Sequence, residues 1–170
     1  MQVAERLPAF FMSSTPKTQS IAGLIGWIVL TFCAPLLSIG SMPDAWYAAL
    51  NKPSWNPPPW IFGPAWTLLY TLMAVAAWIV WKRGGFAAQR VPLSLYLVQL
   101  ALNAAWTPIF FGMHRMDIAF AVIVALWIAI ALTLRSFWRV QTLAGALFVP
   151  YLAWVSFASL LNFTLWRLNS

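Results

Sequence analysis

Residues 18–43, 53–81, 91–114, 118–134 and 140–166 contain no Asp, Glu, Lys or Arg, and together they make up most of the 170-residue chain. A helix crossing a bilayer core of about 30 Å needs about 20 mostly apolar residues, so each stretch can cross once, the fourth by the narrowest margin. Composition closes off the soluble alternative. With 62% hydrophobic and 8% charged residues, a globule of this size, which buries only about 70% of its chain surface, would leave an apolar exterior. Backbone amides in lipid have no water to bond, so the spans are helices; a strand barrel would show alternating segments of about ten residues, and none is present. The expected fold class is all-α: an integral membrane bundle of five transmembrane helices. It forms a single domain over residues 21–168, after an N-terminal extension at 1–20 and with a long first loop at 41–59.

The net charge of +7 would suggest nucleic acid in a soluble protein. Here the cations sit singly or in pairs at span ends, as anchors and topology signals do, and no nucleic-acid partner is expected. Arg6, Lys17, Lys82, Arg83, Arg90, Arg135 and Arg139 fall on one side of the bundle, against Lys52, Arg115 and Arg167 on the other. In a cytoplasmic membrane this bias places the N-terminus inside; it does not say which membrane holds the protein. The first twenty residues lack the long apolar core and small-residue cleavage site of a secretory signal, so the first span is expected to insert uncleaved. Cys33, the only cysteine, lies in that span and reads as a passive thiol.

Span one is expected from Ile21 to Gly40, with a kink at Pro35. Pro57, Pro58 and Pro59 forbid ordinary helix and stiffen the first loop before Trp60 opens span two, which ends at Trp81. A stiff aromatic loop suits a lid. The other connections, Lys82–Val91, Gly112–Asp117 and Arg135–Gln141, are short and impose an up-and-down bundle.

Twelve tryptophans divide by position. Trp46, Trp55, Trp60, Trp81, Trp138 and Trp166 fall near span ends, where amphipathic rings favour the interface. Trp66, Trp106 and Trp154 lie well inside spans and either line an aromatic cavity or pack against neighbours. Gln99, Asn103 and Thr107 recur every four residues, with Trp106 on the same face. Tyr151, Trp154, Ala158 and Asn162 form a second stripe. The amides either bond between helices or, with the aromatics, serve a large, flat, mostly apolar ligand.

Catalytic groups are sparse. His114, the one histidine, stands beside Arg115 and Asp117 with no metal constellation, paired carboxylates or triad, so no metal is expected. It could ligate a haem iron or stay unliganded. The spans carry no acid for a proton relay. Asp44 either organises a lid or caps a short helix beginning near Ala45.

Three runs carry a family resemblance: Pro43-Asp44-Ala45-Trp46-Tyr47; Asn51-Lys52-Pro53-Ser54-Trp55-Asn56-Pro57-Pro58-Pro59-Trp60; and Gly63-Pro64-Ala65-Trp66-Thr67-Leu68-Leu69-Tyr70. Further matches are Gln99-Leu100-Ala101-Leu102-Asn103 through Trp106, Pro108-Ile109-Phe110-Phe111-Gly112, and Pro150-Tyr151-Leu152-Ala153-Trp154 through Leu161-Asn162. The chain resembles, over about residues 21–168, the translocator protein family: the tryptophan-rich sensory proteins once called peripheral benzodiazepine receptors.

The resemblance implies a multi-pass bundle, usually a homodimer in the lipid bilayer, that binds porphyrins, protoporphyrin IX among them, and benzodiazepine-type ligands beneath its first loop. By position the site would comprise Trp46, Tyr47, Trp66, Tyr70, Asn103, Trp106, Trp154, Ala158 and Leu161. Porphyrin would be a ligand and no cofactor would be required. The implied role is tetrapyrrole sensing, scavenging or regulation. The alternatives are light- and oxygen-dependent porphyrin breakdown, in which Trp66 would act, and porphyrin or lipid transport, for which no inverted repeat is visible. The family's sterol motif is degenerate here, with Leu161, Phe163 and Arg167 and no central tyrosine. Ala101 and Ala105 give a small-residue spacing for dimerisation.

Overall fold

The computed structural model describes residues 17–170, which are mostly helical, with no strand among the described residues. Five helices are long and apolar enough to span: Gln19–Leu36, Pro59–Trp81, Arg90–Gly112, Met116–Val140 and Thr142–Leu168. At most 39% of the most apolar window of any span is buried in the bundle. Residues such as Ile25, Val29, Val98, Ile128, Leu132 and Leu160 therefore face outward, where only lipid makes their exposure favourable. The protein is a multi-pass integral membrane protein.

Prolines set the irregular points. Helix α1 (Lys17–Cys33) tightens into a 3₁₀ segment, Ala34–Ser38, at Pro35, because proline supplies no N–H for the α-helical ladder. The one-turn helix α2 (Ala45–Ala49) lies in the first loop; Asp44 caps it, its Oδ1 accepting from Tyr47 N at 3.1 Å. A 3₁₀ turn at Pro59–Ile61 leads into α3 (Phe62–Trp81). After the one-turn α4 (Gly85–Ala88), helix α5 (Arg90–Thr107) widens at Pro108 into a π turn, Pro108–Gly112, in which Met113 N bonds Pro108 O at 2.9 Å. Then follow α6 (Met116–Val140), the one-turn α7 (Thr142–Ala146) and α8 (Val149–Leu168).

Two expectations about boundaries change. Arg135 to Val140 belong to α6 and not to a loop. An arginine at a helix end keeps its head in the interface while its stem lies along apolar surface, and positive charge suits a helix C-terminus, so the last charge-free residue does not mark the end. Span five, Thr142–Leu168, is broken at Leu147 and Phe148 into α7 and α8. Lys17 to Ser20 open α1 and are not part of a separate extension. Residues 1–16, including Arg6, lie outside the described residues.

Helix α5 packs on α6, α6 on α8 and α7, and α1 on α3. Fully buried Ala74, Ala76, Ala77, Ala119 and Ala144 let the helices approach closely. The tightest approach to a backbone atom is in α7, where a Cβ on Gly145 would lie 2.7 Å from Trp138 Cβ and 2.8 Å from its Cα. Backbone atoms cannot move aside as a flexible side-chain tip does. Gly145→Val is expected to lower stability by about 1–3 kcal/mol or more, read as a fall in the thermal midpoint in detergent.

Candidate functional site

The inner face of α5 and of the π turn that continues it carries Tyr96, Gln99, Asn103, Trp106 and Phe110, spaced by three and four residues. Most of its polar groups reach another helix. Tyr96 OH and Thr31 Oγ1 are hydrogen-bonded across to α1. Asn103 Oδ1 accepts from Tyr70 OH on α3 at 2.7 Å, and Asn103 Nδ2 donates to Tyr151 OH on α8 at 2.9 Å. Trp106 Nε1 donates to Asn162 Oδ1 at 3.0 Å, and Asn162 Nδ2 donates to Met116 O at 3.0 Å. Inter-helix bonds of this kind average about 0.6 kcal/mol and reach about 2 kcal/mol each, enough together to fix the register of α3, α5, α6 and α8. Gln99 is fully buried, and neither end of its amide has a partner.

Beside Asn103 lies a cavity of about 180 Å³. Trp66 and Tyr70 form its α3 wall, Asn103, Trp106 and Thr107 its α5 wall, Ile123 and Leu126 its α6 wall, and Val155 and Ala158 its α8 wall; Pro35 and Ser38 close it from the 3₁₀ segment. Trp66 stacks on Tyr70 with ring centroids 5.3 Å apart. The lining is uncharged. An amide has two donors and two acceptor sites, and the tyrosines use one of each on Asn103, leaving one N–H and one lone pair.

The first loop closes over a second apolar cluster of Phe110, Met116, Ala119, Leu161 and Leu165. Trp46 sits edge-on to Phe110 at 6.0 Å and stacks on His114 at 4.1 Å, while Tyr47 meets Phe111 at 5.1 Å. Burial pushes the Tyr47 phenol above its ordinary range, so it stays neutral. Trp55 packs on Phe157 at 5.9 Å. At the far end of the chain Asn169 clamps the loop: its Oδ1 accepts from Asn51 N at 2.8 Å, and its Nδ2 donates to Asn51 O at 3.0 Å.

The TspO/MBR family pattern matches residues 23–167. The chain is 47% identical over 147 residues to the tryptophan-rich sensory protein of Cereibacter sphaeroides, covering 84% of this chain and 91% of that one. It is 48% identical over 126 residues to the translocator protein of Homo sapiens, covering 73% and 75%, and 44% identical over 147 residues to protein CrtK of Rhodobacter capsulatus, covering 84% and 90%. The chain belongs to the TspO/MBR family.

In this TspO/MBR chain, Trp66, Tyr70, Asn103, Trp106 and Ala158 of the expected site share the cavity wall. Trp154 stands behind it, edge-on to Trp66 at 6.4 Å and to Phe62 at 5.9 Å. Trp46 and Tyr47 belong to the lid, and Leu161 to the cluster beneath it. Asn103 and Asn162 make the inter-helix bonds anticipated from their positions; Gln99 does not. Of the two roles read from Asp44, it fills the cap of α2, and its other oxygen stands 3.5 Å from His114 Nε2. The degenerate sterol positions do not share a face: Leu161 is buried, while Phe163 and Arg167 are exposed.

Ser38, Ile123, Leu126 and Val155 were not singled out from sequence, and Pro35 was read only as a kink. Val155 was recoverable, because the inward stripe of α8 runs Tyr151, Val155, Ala158, Asn162 and not through Trp154. The apolar residues of α6 carried no signal separating a cavity wall from core. Asn169 pairs with a residue 118 positions away, beyond any local pattern. Among the described residues, no three His, Cys, Asp or Glu side chains gather as a metal site.

Proposed function

We propose that the protein binds a flat, largely apolar tetrapyrrole, protoporphyrin IX being the first to test, in the cavity walled by Trp66, Tyr70 and Trp106, and acts in tetrapyrrole sensing, scavenging or regulation. One observation carries the reading: an uncharged aromatic cavity whose single amide, Asn103, is held by two tyrosines and still has a free donor and acceptor. Such a site offers stacking faces and one oriented polar anchor. Ligand pockets usually measure about 300–1,000 Å³, so the 180 Å³ cavity would have to widen to admit a macrocycle. The names of the relatives, a sensory protein and a translocator protein, accord with ligand capture in a membrane. The proposal includes a homodimer, for which Ala101 and Ala105 are exposed on α5.

The test is titration of protoporphyrin IX into detergent-solubilised protein, following tryptophan quenching and the Soret band. Saturable binding that survives Trp66→Phe is expected. Equal, unsaturable signals from the native chain and from Asn103→Leu would mean partitioning into detergent and would remove the proposal.

A second reading is light- and oxygen-dependent porphyrin breakdown. Trp66 favours it, as an indole on the cavity wall stacked on Tyr70. The excited porphyrin would take an electron from the indole and supply the chemistry, while the protein would hold it in place. Loss of photoproducts in Trp66→Phe with binding intact would select this reading.

A further inference from the structure

We propose that His114, Trp46 and Asp44 form a proton-sensitive latch holding the lid helix α2 against the turn between α5 and α6. Three observations converge on His114. Its φ of 54° is the only positive φ at a non-glycine among the described residues, a backbone that L residues adopt at a cost and that persists where surroundings hold it. Its ring lies 4.1 Å from that of Trp46, 16° from parallel. Its Nε2 faces Asp44 Oδ2 at 3.5 Å. Asp44 in turn is fixed by the helix it caps, its other oxygen holding Tyr47 N. The strained backbone at His114 thus presents an imidazole to both an indole face and a carboxylate of the lid.

A neutral imidazole gains modestly from these neighbours; an imidazolium gains a charge pair with Asp44 and a cation–π contact with Trp46 together. Protonation of the imidazole therefore strengthens the latch, and its loss loosens it. Other charges near the turn are already committed. Arg115 and Asp117 bind each other through contacts of 2.6 and 2.9 Å, and Lys52 on the lid lies over the Tyr47 ring at 4.8 Å and donates to Ala48 O and Leu50 O. Asp44 and Asp117 are the only acidic side chains among the described residues. The latch stands on the side of the bundle opposite Lys82, Arg83, Arg90, Arg135 and Arg139, so it responds to proton concentration on that side of the membrane. The lid packs on Phe110, which stacks on the cavity residue Trp106 at 4.9 Å. A tightened latch would slow ligand exchange. That consequence rests on the cavity being a ligand site; the latch itself does not.

Hydrogen exchange of the Tyr47, Ala48 and Leu50 amides in ligand-free, full-length protein tests it, as protection factors corrected for intrinsic rates between about pH 8 and about pH 5.5. In the native chain, protection is expected to rise about three- to tenfold as pH falls. It should stay flat in His114→Asn, which tolerates the left-handed backbone, and in Asp44→Asn, which still caps α2. A flat native profile, or the same rise in both variants, would overturn the latch. The dissociation rate of protoporphyrin IX, read in parallel, separates the two proposals: pH-dependent protection without saturable binding retains the latch and removes the ligand.

Discussion

Asn103→Leu is expected to cost both stability and ligand affinity, because one amide is the structural bridge and, in the proposed site, the polar anchor of the ligand. In the native bundle Asn103 accepts from Tyr70 and donates to Tyr151. Leucine matches the side chain roughly in size but leaves two buried phenols without these partners, in surroundings where water cannot replace them. Leaving a buried polar group unmet costs about 1–3 kcal/mol, so a loss of about 2–4 kcal/mol is expected, read as a lower thermal midpoint. Protoporphyrin IX affinity should fall by tenfold or more. Tyr70→Phe, which removes one bond and leaves the cavity shape intact, should cost less. The double substitution should be non-additive, since its two sites share one interaction. Additive losses would show that the Tyr70–Asn103 bond contributes little to holding α3 against α5.

Ala158→Phe is expected to separate binding from folding. Ala158 lines the cavity from α8 and is only partly buried, so a larger ring enters space already present and does not wedge two helices apart. Stability should change by less than about 1.5 kcal/mol, as for substitutions that fit existing volume. Saturable porphyrin binding should fall by about a hundredfold, because the ring takes the place of ligand atoms beside Trp66 and Trp106. Native-like affinity in a folded Ala158→Phe protein would move the site away from this cavity. Paired with Asn103→Leu, the substitution distinguishes lost space from a lost hydrogen bond.

Much of the architecture was legible locally. The charge-free stretches locate five spans because lipid excludes unpaired charge along their whole length. The prolines at 35 and 57–59 mark departures from α-helix, because there each removes a backbone donor that the helix would need. Periodicity on α5 placed Asn103 and Trp106 on one inward face. The same reasoning was less sure on α8: Trp154 and Val155 are adjacent, both apolar, and hydropathy does not say which one faces the cavity. At the end of α6, Arg135 and Arg139 read as loop because charge was taken as a boundary, although their long stems let a helix continue into the interface.

The number of spans, their approximate positions and the inward stripe of α5 follow from the sequence by itself, since each depends on a residue's solvent and on its neighbours three and four positions away. Tertiary structure alone decided the pairing of Asn103 with both Tyr70 and Tyr151, the solitary burial of Gln99, the clamp of Asn169 on Asn51 and the stacking of His114 on Trp46. These contacts join residues far apart in the chain, and their geometry depends on how five helices cross; helical periodicity constrains the face a side chain occupies but carries no information about which helix will stand opposite.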